Sequence, residues 1–249
     1  MKNVLTTLLL LSILTLPVFA QLSNSPDTFE TDTGELNVYP INHGTVAFTF
    51  DGKTIFVDPF GGAEKFADFE APDVIFITDI HGDHHNPETL GGLDTENTTF
   101  VVPQAVADAM DGKYADQLVI LANEETKEVM GMNVTGVAMY NLPDDESSRH
   151  KKGRGNGYII DFGGTRVYLS GDTEDVPEMR ALENIDIAFV CMNLPYTMDI
   201  YQAASAVVEF QPDVMYPYHH RGQDIQKFKT IVGVAGIDTE IRLKDWYRN

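Results

Sequence analysis

Cysteine occurs once in the 249 residues, at Cys191, so no disulfide can form within the chain. A cysteine-rich zinc site is excluded too, and any bound metal must be held by histidines and carboxylates. Positive charge is scarce: 17 Lys+Arg stand against 38 Asp+Glu, a formal net charge of −21. A surface so acidic repels phosphate backbones and anionic headgroups, which removes nucleic acid and the membrane surface from the candidate partners. Long apolar runs are confined to the first residues, and no low-complexity linker or short-period repeat divides the remainder. What is present is ordinary. At 43% hydrophobic and 22% charged, the chain has the composition of a globular protein long enough to bury a full core.

Residues 1–20 (MKNVLTTLLLLSILTLPVFA) carry one cation, Lys2, then an apolar run and the small-x-small sequence Val18-Phe19-Ala20. That is the pattern of a secretory signal peptide, too short for a transmembrane helix. The protein is therefore expected to be exported, to a periplasm or the medium. Residues 21–35 are polar and aperiodic and read as a flexible tail. Cys191, inside the apolar run 185–192, reads as a small buried hydrophobe.

Strand signals begin at residue 36. Short β-prone runs occupy 36–41, 45–50 and 53–57, and Asp51-Gly52 makes a hairpin turn between the last two. The run 73–78 (DVIFIT) is apolar enough for a strand covered on both faces. Asn86-Pro87 then opens a helix, followed by a strand over 98–102, a helix over 104–110 and a strand over 118–121. A second series repeats this order. It has a strand over 133–140, a polar loop over 141–156, and a hairpin of 157–162 with 165–169 across Gly163-Gly164. A strand over 185–192, a helix over 198–210, a strand over 213–216, a helix over 224–232 and a strand over 240–243 complete it. Two series of this kind predict two β-sheets packed face to face with helices outside.

Only seven histidines occur, and three fall within Asp79-Ile80-His81-Gly82-Asp83-His84-His85, directly after the apolar strand. A turn at a strand's C-terminal end can aim several side chains at one point, and these are the ligand types divalent metals require. The segment Thr78–His84 resembles the signature of the metallo-β-lactamase superfamily, whose usual form is Thr-His-x-His-x-Asp-His. Ser170-Gly171-Asp172-Thr173 resembles its Gly-Asp ligand turn, Pro217-Tyr218-His219 its terminal Pro-x-His, and Val57-Asp58-Pro59 its early Asp-Pro. His150 lies where that family places a mid-chain histidine. Within the superfamily, GYIIDFGGTRVYLSGDTE is closest to the branch similar to L-ascorbate-6-phosphate lactonase.

The resemblance covers roughly residues 36–245 and implies an α/β fold, the αββα sandwich, as a single domain over 36–249. It implies two divalent metal ions at one edge of the sandwich. Asp79, His81 and His150 would hold one; Asp83, His84 and His219 the other; Asp172 would bridge them. A metal-bound hydroxide would then cleave a small, anionic, ester-type substrate, a lactone or phosphoester, with Asp83 as both ligand and proton carrier. Zinc is the expected metal. Asp79 departs from the motif's first histidine, and oxygen ligation leans towards manganese or iron, or leaves a single ion bound.

Several residues remain open at this level. His219 and His220 compete for one ligand position, with the Pro-x-His spacing favouring His219. His220, Arg221 and Tyr196 are candidates to line the pocket, and His85 to cap a helix or support a ligand. Asp58 reads equally as a carboxylate orienting a ligand imidazole or as a turn residue. His43 reads as a structural hydrogen-bonding group. The run Arg149-His150-Lys151-Lys152-Gly153-Arg154 concentrates positive charge beside a proposed ligand, either as a gate for an anionic substrate or as a solvated loop balancing Asp144, Asp145 and Glu146. Asn97 and Asn133 sit in glycosylation sequons. The rival to a hydrolase is a non-catalytic metal- or ligand-binding protein that keeps the fold. Six retained ligand positions and a bridging Asp172 argue against it.

Overall fold

Each half of the chain builds one seven-stranded sheet, and in each the strand order in space is the order in sequence. The computed structural model describes Leu22 and residues 25–247, so the leader expected over 1–20 lies outside the described residues. In the first sheet β1 (Asp27–Thr31), β2 (Gly34–Asn42), β3 (Thr45–Phe50) and β4 (Lys53–Val57) run antiparallel. β5 (Val74–Phe76), β6 (Thr99–Val102) and β7 (Leu118–Ile120) then continue parallel to β4. The second sheet repeats the scheme. β8 (Thr126–Val129), β9 (Met132–Met139), β10 (Gly155–Phe162) and β11 (Thr165–Leu169) are antiparallel. β12 (Ile187–Cys191), β13 (Val214–Tyr218) and β14 (Glu240–Ile241) add on in parallel.

Period-two alternation assigns the faces. In β4 and β5, Ile55, Val57, Val74 and Phe76 join the main core, whereas Phe56 and Ile75 point the other way into a second cluster with Leu90 and Val106. Leu90 belongs to helix α1 (Pro87–Gly92) and Val106 to α2 (Gln104–Ala109), which cover the first sheet. α3 (Pro177–Arg180), α4 (Ile200–Phe210) and α5 (Ile225–Gly233) follow in the second half, where Met179, Ala203, Val207 and Phe228 pack into the main core. Between the sheets, Phe48 meets Phe162 at 5.3 Å and Phe189 at 5.9 Å between ring centroids, and Phe76 meets Tyr158 at 5.3 Å. Such buried aromatics each stabilise the sandwich by about 2–3 kcal/mol. Cys191 is a free, buried thiol within β12, as its sequence context implies. No helix of the described residues is long and apolar enough to cross a membrane.

The expected αββα sandwich is thus the observed one, with local differences. Residues 27–31 are not a flexible tail but edge strand β1, paired in register with β2 as Phe29↔Leu36. Asp27 also accepts a hydrogen bond from Lys244 at 2.7 Å, tying the strand to the end of the chain. Helix α4 starts at Ile200 rather than 198, because Asp199 forms a capping box with Gln202. Strand β13 runs on through Pro217 to Tyr218; β14 pairs only with Val214 and Met215, leaving one side open where proline is tolerated.

Candidate metal centre

Ends of parallel strands meet at one edge of the sandwich, and there the segments picked out by the sequence converge. Asp58 follows β4 and locks onto the end of β5. The Thr78 amide donates to Asp58 Oδ1 at 2.8 Å and the Thr78 hydroxyl to Asp58 Oδ2 at 2.6 Å. The chain then turns tightly, with the amides of His84 and His85 donating to the His81 carbonyl at 3.0 and 2.8 Å. Asn86 stops the turn by capping α1 through Thr89 N at 2.8 Å. From the second sheet, Asp172 follows β11 after Gly171, whose φ of 59° suits glycine, and His219 follows β13. His150 arrives from the loop between β9 and β10.

Three sets of donor atoms lie within 4.8 Å of one another: Asp79, His81 and His150; His84, Asp172 and His219; and His43, Asp83 and His219. Asp172 joins the first two. Its Oδ2 is 3.2 Å from His150 Nε2 and 3.4 Å from His84 Nε2, and its Oδ1 is 3.4 Å from His219 Nε2. Asp172 therefore lies between His150 on one side and His84 and His219 on the other. Asp83 reaches His219 Nε2 at 3.5 Å and His43 Nε2 at 3.2 Å, so His43 belongs to this centre rather than to the scaffold alone.

The donor atoms are prepared for a cation. Among the described residues, Nε2 of His84, His150 and His219 and Oδ1 of Asp172 are buried without a hydrogen-bond partner. Orphaned buried polar atoms are costly, and four converging ones fit a divalent ion that would satisfy them together. The opposite ring nitrogens are fixed from behind. His84 Nδ1 donates to Asp58 Oδ2 at 2.8 Å, and His150 Nδ1 donates to Asn141 Oδ1 at 2.9 Å. Donation from Nδ1 leaves each Nε2 lone pair free to ligate. Of the two readings of Asp58, the structure takes the carboxylate that orients an imidazole. Asn141 was not visible as a participant in the sequence, since an asparagine in a polar loop carries no signal of the ring it faces.

Charge in the cluster is strongly polarised. Burial would lower the His84 pKa, but Asp172 and Asp58 outweigh it and raise it well above the ordinary value. Burial would raise Asp172, yet His219 and His84 hold it well below the usual carboxylate range. The two carboxylates thus stabilise positive charge on His84, the charge a bound cation would supply instead. Asp79 also drops, to about 2: burial opposes the shift, and the His81 hydrogen bond with the charges of His84 and Arg154 overcome it. Arg154 grips that carboxylate with Nε and Nη2, both at 3.2 Å. Asp83 and His81 are the open side of the centre, with 27% and 25% of their side chains exposed.

His219, not His220, is the histidine brought to the cluster. His220 packs its ring against Tyr247, 4.9 Å between centroids, and burial pushes its pKa down to about 4. Neither of its ring nitrogens has a hydrogen-bond partner among the described residues. Among the described residues, no hydrogen bond or ion pair joins the His85 ring to the cluster, and the helix cap is Asn86 instead. The cationic loop does not act as one gate. Lys151 pairs with Glu146, Lys152 with Glu178 and Arg154 with Asp79, which leaves Arg149 as its one arginine without a carboxylate. Arg149 and Arg221 line a cavity of about 330 Å³ with Phe60, Asp83, Asp172 and Tyr196.

Comparison with known proteins identifies this arrangement. A family profile described as beta-lactamase superfamily domain matches residues 37–219. The chain belongs to that superfamily. Its relatives include the UPF0173 metal-dependent hydrolase of Pyrococcus horikoshii, 28% identical over 209 residues, covering 76% of this chain and 90% of the relative. A crystal structure of a protein named as a metal-dependent hydrolase from Parabacteroides distasonis is 36% identical, with a TM-score of 0.79 over 91% of this chain and all (100%) of that one. Igni18, a metallo hydrolase from Ignicoccus hospitalis, shares the fold with a TM-score of 0.70 at 22% identity, over 86% and 96% of the two chains. The enzyme class is metal-dependent hydrolase of the beta-lactamase superfamily.

Proposed function

We propose that this superfamily member is an exported hydrolase that cleaves a small ester-type bond, in a lactone or a phosphoester, with Asp172 bridging two metal positions. The observation that carries this reading is the convergence of three unpaired Nε2 atoms, from His84, His150 and His219, on the Asp172 carboxylate. Divalent ions held there would supply Lewis acidity and acidify a water to a nucleophile near neutral pH. Asp79, His81 and His150 would hold one ion; His84 and His219 would hold the other with Asp172, and Asp83, which lies with His43 and His219, would complete that set. The imidazole-rich second set favours zinc, whereas the Asp79 carboxylate leaves manganese or iron suited to the first.

The chain's own groups divide the remaining work. Asp58 and Asn141 hold the His84 and His150 rings in the ligating tautomer. Asp83, half-open to solvent and braced by His43, is the catalytic residue: its Oδ2 accepts the hydrogen bond of the attacking water and carries the proton towards the leaving group. His43 is itself anchored through Nδ1 to the Tyr247 hydroxyl at 3.0 Å. The cavity volume of about 330 Å³ sits at the low end for small-molecule sites, which supports a small substrate. The leader over 1–20 supports export to a periplasm or the medium.

The test is a panel of lactones, phosphodiesters and β-lactams assayed with zinc-loaded and manganese-loaded protein. Turnover of a lactone or phosphoester, abolished by Asp172→Ala, is the expected result. Turnover confined to β-lactams would contradict the bond class.

A further inference from the structure

In an acidic protein, an arginine without a carboxylate partner calls for an explanation. Arg180 and Arg242 are paired with acids, and Arg154 is held by Asp79. Among the described residues Arg149, Arg166 and Arg221 are not; Arg166 donates instead to the Asn184 carbonyl, whereas Arg149 and Arg221 line the same cavity as Asp83 and Asp172. They come from distant parts of the chain. Arg149 precedes His150, and Arg221 lies two residues after His219, so each arm is carried by a segment that already delivers a residue to the metal centre.

Both guanidinium groups lie near one ring. Arg149 Cζ lies 4.5 Å from the Tyr196 centroid and Arg221 Cζ 6.0 Å from it. Stacking of this kind orients the planar guanidinium and leaves its N–H edges free for an oxyanion. The supporting framework is fixed at both ends. The Arg221 amide donates to the Tyr247 hydroxyl at 2.6 Å, and Arg221 adopts a left-handed φ of 31°. A non-glycine residue held in that region is a sign that the fold fixes its direction. On the other side, Arg154 Nη1 donates to the Arg149 carbonyl at 2.8 Å, and Asn141 Nδ2 donates to the Tyr196 carbonyl at 2.9 Å.

We propose that Arg149 and Arg221, positioned by Tyr196, form an oxyanion-binding subsite that holds a phosphate or carboxylate group of the substrate while its ester lies at the metal centre. This rests on the hydrolase reading above and names the recognition element within it. Two guanidinium groups acting on one small anion supply forked, charge-assisted hydrogen bonds that a neutral substrate cannot make. The subsite also lets an acidic protein take an anionic substrate, because two guanidinium groups without carboxylate partners line the cavity.

The experiment compares matched aryl esters, one bearing a carboxylate, one a phosphate and one a neutral carboxamide, with the zinc-loaded full chain at low salt. Arg149→Gln and Arg221→Gln should each lower the anionic-to-neutral ratio of kcat/KM at least tenfold. The carboxylate and phosphate arms identify the preferred group. Tyr196→Leu should lower the same ratio and Tyr196→Phe should retain it, which a merely structural role would not produce. Lys151→Gln and Lys152→Gln should leave the ratio unchanged; an equal drop there would mean general charge and would overturn the proposal. If no ester is turned over, the hydrolase reading fails separately, and calorimetry with inorganic phosphate decides the subsite. An affinity at least tenfold weaker in the double variant supports it; equal affinities overturn it.

Discussion

Arg154 donates to the Asp79 carboxylate through both Nε and Nη2, each at 3.2 Å, at the one position where the chain departs from the histidine of the superfamily motif. The extra negative charge introduced by Asp79 is thereby already balanced. A guanidinium beside the first donor set opposes a divalent ion there by about 3 kcal/mol per unit of charge, taking a separation near 5 Å and an effective dielectric near 20. Replacing Arg154 with Gln should tighten the first metal position at least tenfold. Competition against a chromophoric chelator, with ions per chain counted at limiting zinc, reads this directly. Loss of an ion in the variant would show that Arg154 instead holds Asp79 in its ligating pose.

The two imidazoles fixed from behind should respond alike. Asp58→Asn removes the acceptor charge behind His84, and Asn141→Ala removes the acceptor behind His150. Each should weaken metal binding about 10–100-fold, the usual cost of losing such a support. Metal titration of the purified variants checks it. An unchanged affinity in both would mean the rings are held by packing alone.

Gly44 makes room for His219. A Cβ at this position would lie 2.6 Å from His219 Cδ2. Gly44→Ala should displace the ring and lower metal affinity severalfold. Gly91→Ala, in α1 with nothing within 4 Å, should instead leave metal affinity untouched and stabilise the fold by about 0.5–1 kcal/mol. Thermal unfolding with and without zinc separates the two effects.

Asp27 ties the first strand to the last segment. Burial would raise its pKa, but hydrogen bonds from Lys244 and Tyr216 and the charge of Arg242 outweigh it and hold the carboxyl below its ordinary 3.8. A depressed carboxylate stabilises the fold above its unfolded pKa, and that contribution is lost as pH falls through the folded value. After allowance for solvent screening it amounts to about 1 kcal/mol or less. Asp27→Asn should therefore lower stability in urea at neutral pH, and the gap to wild type should close below about pH 4. A gap that persisted in acid would assign the effect to packing rather than charge.

Much of this was readable from residues alone, and for stated reasons. The repeated series of hairpins followed by strand–helix alternation predicts the two sheets, because apolar runs and turn residues carry those signals directly. Asp79, His81, Asp83 and His84 are visible because they crowd one turn. What escapes is set by contacts between distant segments. Strand β1 is polar on its open side, so Asp27–Thr31 looks like a tail until Leu36 and Lys244 are placed beside it. Thr126–Val129 likewise hides as edge strand β8, since only Val129 is buried. Asn141 and His43 join the centre through hydrogen bonds to His150 and Asp83 that no local pattern encodes. The cationic loop shows the opposite error. Its charge is obvious in the sequence, but three of its four cations are already paired, and the cavity recruits Arg221 from elsewhere.

The central claim is that Asp172 joins two metal positions. Elemental analysis of the purified full chain after metal-replete expression, beside Asp172→Ala, tests it most directly. At least one transition-metal ion per wild-type chain is expected, approaching two with excess zinc, and loss of metal together with turnover in the variant. Fewer than one ion in the wild type, or a full complement in the variant, would contradict it.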